Sequence, residues 1–114
     1  MGLPTYSRLR KQAEFHAVRS DGRRSNCGPF ILQFRPGDPG QAGRRCGIIA
    51  SRRVGNAVVR NRGKRIFREL FRRHESLLPE SGDLVVVLRS QFSQYSFAEL
   101  EERFVRACSS LHPR

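Results

Sequence analysis

The chain has 114 residues, enough for one modest core and too few for two, and 22 Lys and Arg against 10 Asp and Glu leave it a net charge of +12. Its longest clean apolar run, Leu84 to Leu88, is far short of a membrane span, and the N-terminus lacks the apolar stretch of a secretory signal. These features argue against a membrane-spanning or exported protein and point to one cytoplasmic domain, residues 1–114, with a polyanionic partner: nucleic acid before anionic membrane.

Met1 to Arg8 contain Pro4 and no periodicity, which suits an extended or mobile segment. A short helix follows, in which Leu9, Ala13, His16 and Ala17 can share one face while Phe15 and Val18 lie off it; Asp21-Gly22 ends it. Spacing alone leaves Phe15 equally suited to packing against a sheet and to facing a ligand. A further short strand can form near Asn26. Phe30 to Arg35 reads as a strand with Phe30, Leu32 and Phe34 on one side, broken by Pro36-Gly37-Asp38-Pro39-Gly40. Arg45 to Ser51 is the natural return strand, so the expectation is an antiparallel hairpin with a long, mobile loop.

That return strand leads into the most informative stretch, Ser51 to Arg73. Asn56 can accept from an orphan amide as the N-cap of a helix, after Gly55 lets the chain bend. At about 100° per residue, Val59, Gly63, Ile66, Phe67, Leu70, Phe71 and His74 gather on one arc that must face a core. The opposite arc carries Arg60, Lys64, Arg65, Arg68 and Arg72, flanked by Arg62 and Arg73, with Asn61 among them and Glu69 as its one acid. Like charges three and four apart repel, so a merely solvated face would interleave acids. Guanidinium groups also bond phosphate bidentately and stack on bases, which strengthens a nucleic-acid reading. Glu69 can bridge to Arg65 or Arg73 and hold them in register. His74 suits a partly buried or helix-terminal role.

Pro79 to Asp83 make a turn, and Leu84 to Leu88 read as a strand covered on both faces. It can pair parallel to Gly47–Ser51 as a βαβ unit, for which the general expectation is a right-handed crossover. Ser96-x-x-Glu99 is a capping box, and Phe97, Leu100, Phe104, Ala107, Cys108 and Leu111 follow at helical spacing, with Glu101, Glu102, Arg103 and Arg106 on the solvated side. The fold expected from these elements is a small α/β (α+β-like) sandwich, with helices on a mostly antiparallel sheet.

No catalytic or metal constellation is visible. The carboxylates are scattered, and His16, His74 and His112 lie far apart. Cys27, Cys46 and Cys108 lack the spacing of a zinc site and read as reduced, buried thiols. No glycine signature cradles a phosphate.

The run Gly55-Asn56-Ala57-Val58-Val59-Arg60-Asn61-Arg62-Gly63-Lys64-Arg65, continuing into Arg68-Glu69, resembles the Arg-Asn-Arg signature helix of bacterial ribonuclease P proteins. Leu9 through Phe15 to Val18, Ser51-Arg52-Arg53-Val54 and Asp83 to Val87 support the resemblance. It implies a four-stranded mixed sheet packed on the signature helix, with a left-handed βαβ crossover, between N- and C-terminal helices. It also implies that a partner RNA is the catalyst, using bound Mg2+ to cut the 5′ leader from precursor tRNA. On this resemblance Arg60, Asn61, Arg62, Lys64, Arg65 and Arg68 contact the catalytic RNA, while Phe15, Phe30, Arg52 and Arg53 line the path of the leader. No DNA or membrane partner is expected. The alternatives are a general RNA-binding module, such as a ribosomal protein or RNA chaperone, and a self-sufficient protein nuclease, which the scattered carboxylates disfavour.

Overall fold

The structure is a computed structural model describing residues 7–111. The stretch expected to be extended lies outside the described residues up to Tyr6, as does His112. The elements run α1 (Gln12–Asp21), β1 (Arg23–Asn26), β2 (Phe30–Pro36), β3 (Arg44–Ile49), α2 (Ala57–His74), β4 (Gly82–Leu88) and α3 (Phe97–Ser110).

The four strands form one mixed sheet in the order β1-β2-β4-β3. The short strand near Asn26 is β1, paired antiparallel to β2 through a turn at Gly28, whose φ of 90° suits glycine. The parallel pairing of β3 with β4 also matches expectation, Cys46 lying opposite Leu84 and Ile48 opposite Val86. The expected hairpin of β2 with β3 does not form, because β4 lies between them, antiparallel to β2 and parallel to β3. The physical reason is burial: Leu84, Val85 and Val86 are fully buried, and only a central strand hides consecutive apolar side chains on both faces. The loop after β2 is tied down where Gly37 N–H donates to Ser81 O and Gln41 Nε2 to Asp83 Oδ1.

Alternation along the strands sends Phe30, Leu32, Phe34, Cys46, Leu84, Val86 and Leu88 to one face, where Phe67, Leu70 and Phe71 of α2 and Leu100, Phe104 and Cys108 of α3 cover them. Each such buried aromatic or leucine contributes roughly 1.5–3 kcal/mol. A Cβ at Gly63 would come within 2.5 Å of Leu88 Cδ1 and 2.8 Å of Phe92 Cζ, so glycine lets α2 approach the end of β4. Phe30 belongs to this core. It is fully buried, with its ring 4.7 Å from that of Phe67, so it cannot line a path for RNA as the resemblance suggested.

The other face of the sheet holds a smaller cluster of Leu9, Val18 and Val85 with Phe15, Ile49 and Val87. The inner face of α1 is therefore Phe15 and Val18. The expected face fails because Ala13 and His16 are exposed and Leu9 precedes the helix, reaching the sheet through its own N–H donated to Cys46 O. Phe97 departs from its expected core stripe as well. At the first turn of α3 it lies beside Ile66 and Arg73 of α2 and stays 37% exposed. All three cysteines are free and buried, and burial pushes the Cys108 thiol up to about 12.

Candidate nucleic-acid interface

Helix α2 begins where Asn56 Oδ1 accepts the Val59 N–H at 3.0 Å. Its last turn carries Arg72, Arg73 and His74, placing positive charge at the negative end of the helix dipole. These three C-terminal side chains are all engaged. Glu69 accepts from Arg72 at 2.6 Å and Arg73 at 2.9 Å, and these two guanidiniums hold its carboxyl down at about 2. Glu101 accepts from Arg73 and lies 2.8 Å from His74 Nε2. Glu69 thus orders Arg73, as expected, with Arg72 in place of Arg65.

The remaining cations of the helix behave differently. Arg60, Arg62, Lys64, Arg65 and Arg68 make no ion pair with any carboxylate among the described residues, and Asn61 is exposed between them. Elsewhere arginines are paired readily: Arg44 with Glu75, Arg45 with Glu14 and Asp83, Arg35 with Asp21 and Asp38. Five unpaired cations on one helix repel one another and find relief in a polyanion. Arg60 Nε is buried without a partner, a further donor unsatisfied within the chain.

Helical geometry divides this surface into two flanks. Arg60, Lys64 and Arg68 turn toward β3 and are partly buried, while Arg62 and Arg65 turn toward α3 and are exposed. On the first flank a hollow of about 240 Å3 brings Lys64 and Arg68 together with Phe15, Gly47, Arg8 and Arg10. The structure therefore brings together residues that the family resemblance assigned to two separate sites.

Phe15 is held over this hollow by a polar bracket at the start of α1. Glu14 accepts the backbone N–H groups of Arg10 and Lys11, both at 2.9 Å, and the Arg45 guanidinium at 2.6 Å. Those backbone donors first, and Arg45 with them, hold the Glu14 carboxyl below its ordinary value. Arg45 also grips buried Asp83 with two bonds of 2.9 Å, which raises its own pKa. At the other end of α1, Gln33 Nε2 donates to Arg19 O and Gly22 O. The ring rests on the backbone of Gly47, where a Cβ would lie 2.5 Å from Phe15 Cζ.

Of the other residues assigned to the leader, Phe30 is in the core. Arg52 and Arg53 are exposed on a 3-10 turn before α2, and Arg53 lines a separate hollow of about 290 Å3 with Arg89, Ser90 and Gln91. Arg8, Arg10 and Arg89 join these surfaces without any periodic signal; only their charge could have drawn attention to them. Among the described residues no three His, Cys, Asp or Glu side chains are grouped to hold a metal ion, and no helix is long and apolar enough to cross a membrane.

A mixed four-stranded sheet carrying a helix with five cations free of carboxylate partners among the described residues, beside an aromatic hollow, defines a small α+β protein whose basic surface suits a polyanion. Comparison with known proteins gives this class a family. The ribonuclease P family model matches residues 3–112. The ribonuclease P protein component of Brevibacillus brevis is 39% identical over 95 residues, covering 83% of this chain and 75% of that one, and that of Nocardioides sp. is 40% identical over 99 residues, covering 86% and 85%. The ribonuclease P protein of Thermotoga maritima superposes with a TM-score of 0.80 at 29% identity, covering 93% of this chain and 98% of that one. That of Staphylococcus aureus gives 0.79 at 25% identity. The chain belongs to the ribonuclease P protein family, the protein components of the ribonucleoprotein that processes the 5′ ends of tRNA.

Proposed function

We propose that this protein acts in the cytoplasm, as one domain, by holding the single-stranded leader of precursor tRNA against the catalytic RNA, and that it does no bond chemistry itself. The observation that carries this reading is the meeting of Phe15 with Lys64 and Arg68 in one hollow on the flank of a helix whose cations from Arg60 to Arg68 make no ion pair among the described residues. An aromatic ring offers a stacking platform to any base, and flanking cations follow the backbone, so leaders of many sequences are accommodated. Arg60, Asn61, Arg62, Lys64, Arg65 and Arg68 form the surface for the catalytic RNA, with Lys64 and Arg68 shared between the two RNA segments. Arg52 and Arg53 lie beside this surface and extend it toward Arg89.

The carboxylates of the described residues do not fit a magnesium site. Glu14, Asp83, Glu69 and Glu101 are each taken up by arginine, and among the described residues no three acids, histidines or cysteines group to hold a metal ion. Magnesium in the holoenzyme is accordingly assigned to RNA phosphates. The protein's part is to neutralise phosphate crowding where leader and catalytic RNA converge, which raises affinity for both substrate and metal.

The test is cleavage of precursor tRNA at low magnesium by a bacterial catalytic RNA alone, by the protein alone and by both. Efficient cutting at the mature 5′ end only by the combination is expected; no gain over RNA alone would overturn the reading. With about five phosphate contacts to irregular or single-stranded RNA, the log–log salt dependence of binding should have a slope near −3.5, at about −0.7 per contact. A general RNA-binding module would share that slope but would bind precursor and mature tRNA alike.

A further inference from the structure

The flank of α2 turned toward α3 holds a second hollow, of about 290 Å3, lined by Arg65, Ile66, Glu69 and Phe97. Phe97 is unusual in this fold. Leu100, Phe104, Ala107 and Cys108, along the same stripe of α3, are buried, whereas Phe97 is one of two large apolar side chains exposed among the described residues. The other, Val58, is on the first turn of α2. Arg73, fixed by Glu69 and Glu101, places its guanidinium carbon 5.3 Å from the centre of the Phe97 ring. Arg65, on the rim, has no protein partner among the described residues.

We propose that Phe97 is a second stacking platform, which receives an unpaired base of the catalytic RNA while Arg65 meets that nucleotide's phosphate or base edge. The inference rests on the reading that the cationic face of α2 binds this RNA, and extends that face onto α3. A nucleobase suits the hollow because its faces are apolar and its edge and phosphate are polar, matching the Ile66 and Phe97 floor and the Arg65 rim. Glu69 does not repel the phosphate strongly, since Arg72 and Arg73 neutralise it. The occupant is the catalytic RNA and not the leader, because Arg65 and Phe97 line a hollow separate from that of Phe15. An apolar protein partner would leave Arg65 unpaired and is disfavoured for that reason.

The test compares Phe97→Leu, Phe97→Trp and Arg65→Ala for binding to the catalytic RNA at fixed salt, together with melting temperature, self-association by sedimentation, and the affinity ratio of the holoenzyme for precursor over mature tRNA. Leucine keeps the contact with Ile66 but loses the π face. Phe97→Leu should weaken RNA binding by roughly 5-fold to 150-fold, the range for loss of one stacked base. Phe97→Trp should bind at least as well as the natural protein, and neither should move the melting temperature by more than about 2 °C or the precursor-to-mature ratio. Wild-type affinity in Phe97→Leu alongside weakened binding in Arg65→Ala would overturn this inference alone. Wild-type affinity in both would overturn the reading of α2 as well. A Phe97→Leu defect that appears only with lost self-association would assign the hollow to a second copy of the chain and overturn the stacking role.

Discussion

Gly47 lies beneath the Phe15 ring, and a Cβ built there would approach Phe15 Cζ to 2.5 Å and Leu9 Cβ to 3.1 Å. Gly47→Ala therefore tests how the aromatic hollow is made. Its backbone needs no left-handed conformation, so the effect is steric. Alanine in a strand interior should gain roughly 0.5–1 kcal/mol over glycine from the unfolded chain, whereas overpacking costs about 1–3 kcal/mol. The net loss should be roughly 0.5–2 kcal/mol, or about 2–10 °C in melting temperature for a chain of this size. If Phe15 serves the leader as proposed, displacing the ring should also lower holoenzyme affinity for precursor tRNA while sparing mature tRNA. The assay is a double-mutant cycle with Phe15→Ala, read by thermal melting and by the precursor-to-mature binding ratio. The stability cost of Gly47→Ala should shrink by about 1 kcal/mol or more when Phe15 is already truncated. An equal cost in both backgrounds would place the clash on Leu9, and wild-type melting with wild-type discrimination would refute the argument.

The remaining expectations concern the frame that carries the site. Phe30→Ala should cost about 3–5 kcal/mol of stability, because it empties space against Phe67, whereas Phe30→Leu should keep wild-type leader affinity once the folded fraction is accounted for; a selective leader defect in Phe30→Leu would return the residue to the interface. Asn56→Ala removes the acceptor for Val59 N–H and should cost about 1 kcal/mol, seen as an earlier denaturant midpoint with an unchanged slope. The folded pKa of Glu14 lies below its ordinary 4.5, so its contribution is complete above about pH 4.5 and is lost as pH falls through the lowered value. Glu69, held at about 2, acts in the same direction. Stability should decline from pH 4.5 toward 2, and Glu14→Gln should be less stable at neutral pH with a shallower acid decline; parallel curves for variant and natural protein would contradict the bracket.

The elements themselves were legible where local pattern was decisive. Asn56 and Ser96 cap α2 and α3 as read, the buried stripe of α2 holds Gly63, Phe67, Leu70 and Phe71, and the apolar run at 84–88 is covered on both faces. Strand order was less legible, because β2 and β3 look like a hairpin to any local rule and only competition for the centre of the sheet places β4 between them. Phe30 could not be separated from Phe15 by residue type. One ring is sealed against Phe67, and the other is half-buried above a glycine.

The sequence by itself determined that a single helix would concentrate unpaired positive charge beside a core of ordinary composition, because charge and 3.6-residue periodicity are properties of contiguous residues. Only the tertiary structure decided which aromatics stand beside that charge. Phe15 arrives from α1 and Phe97 from the start of α3, and their exposure depends on where Gly47, Arg45 and the packing of α3 beside α2 leave them. Contacts between residues distant in sequence carry no local signature, and in this protein those contacts divide one basic helix into two distinct faces.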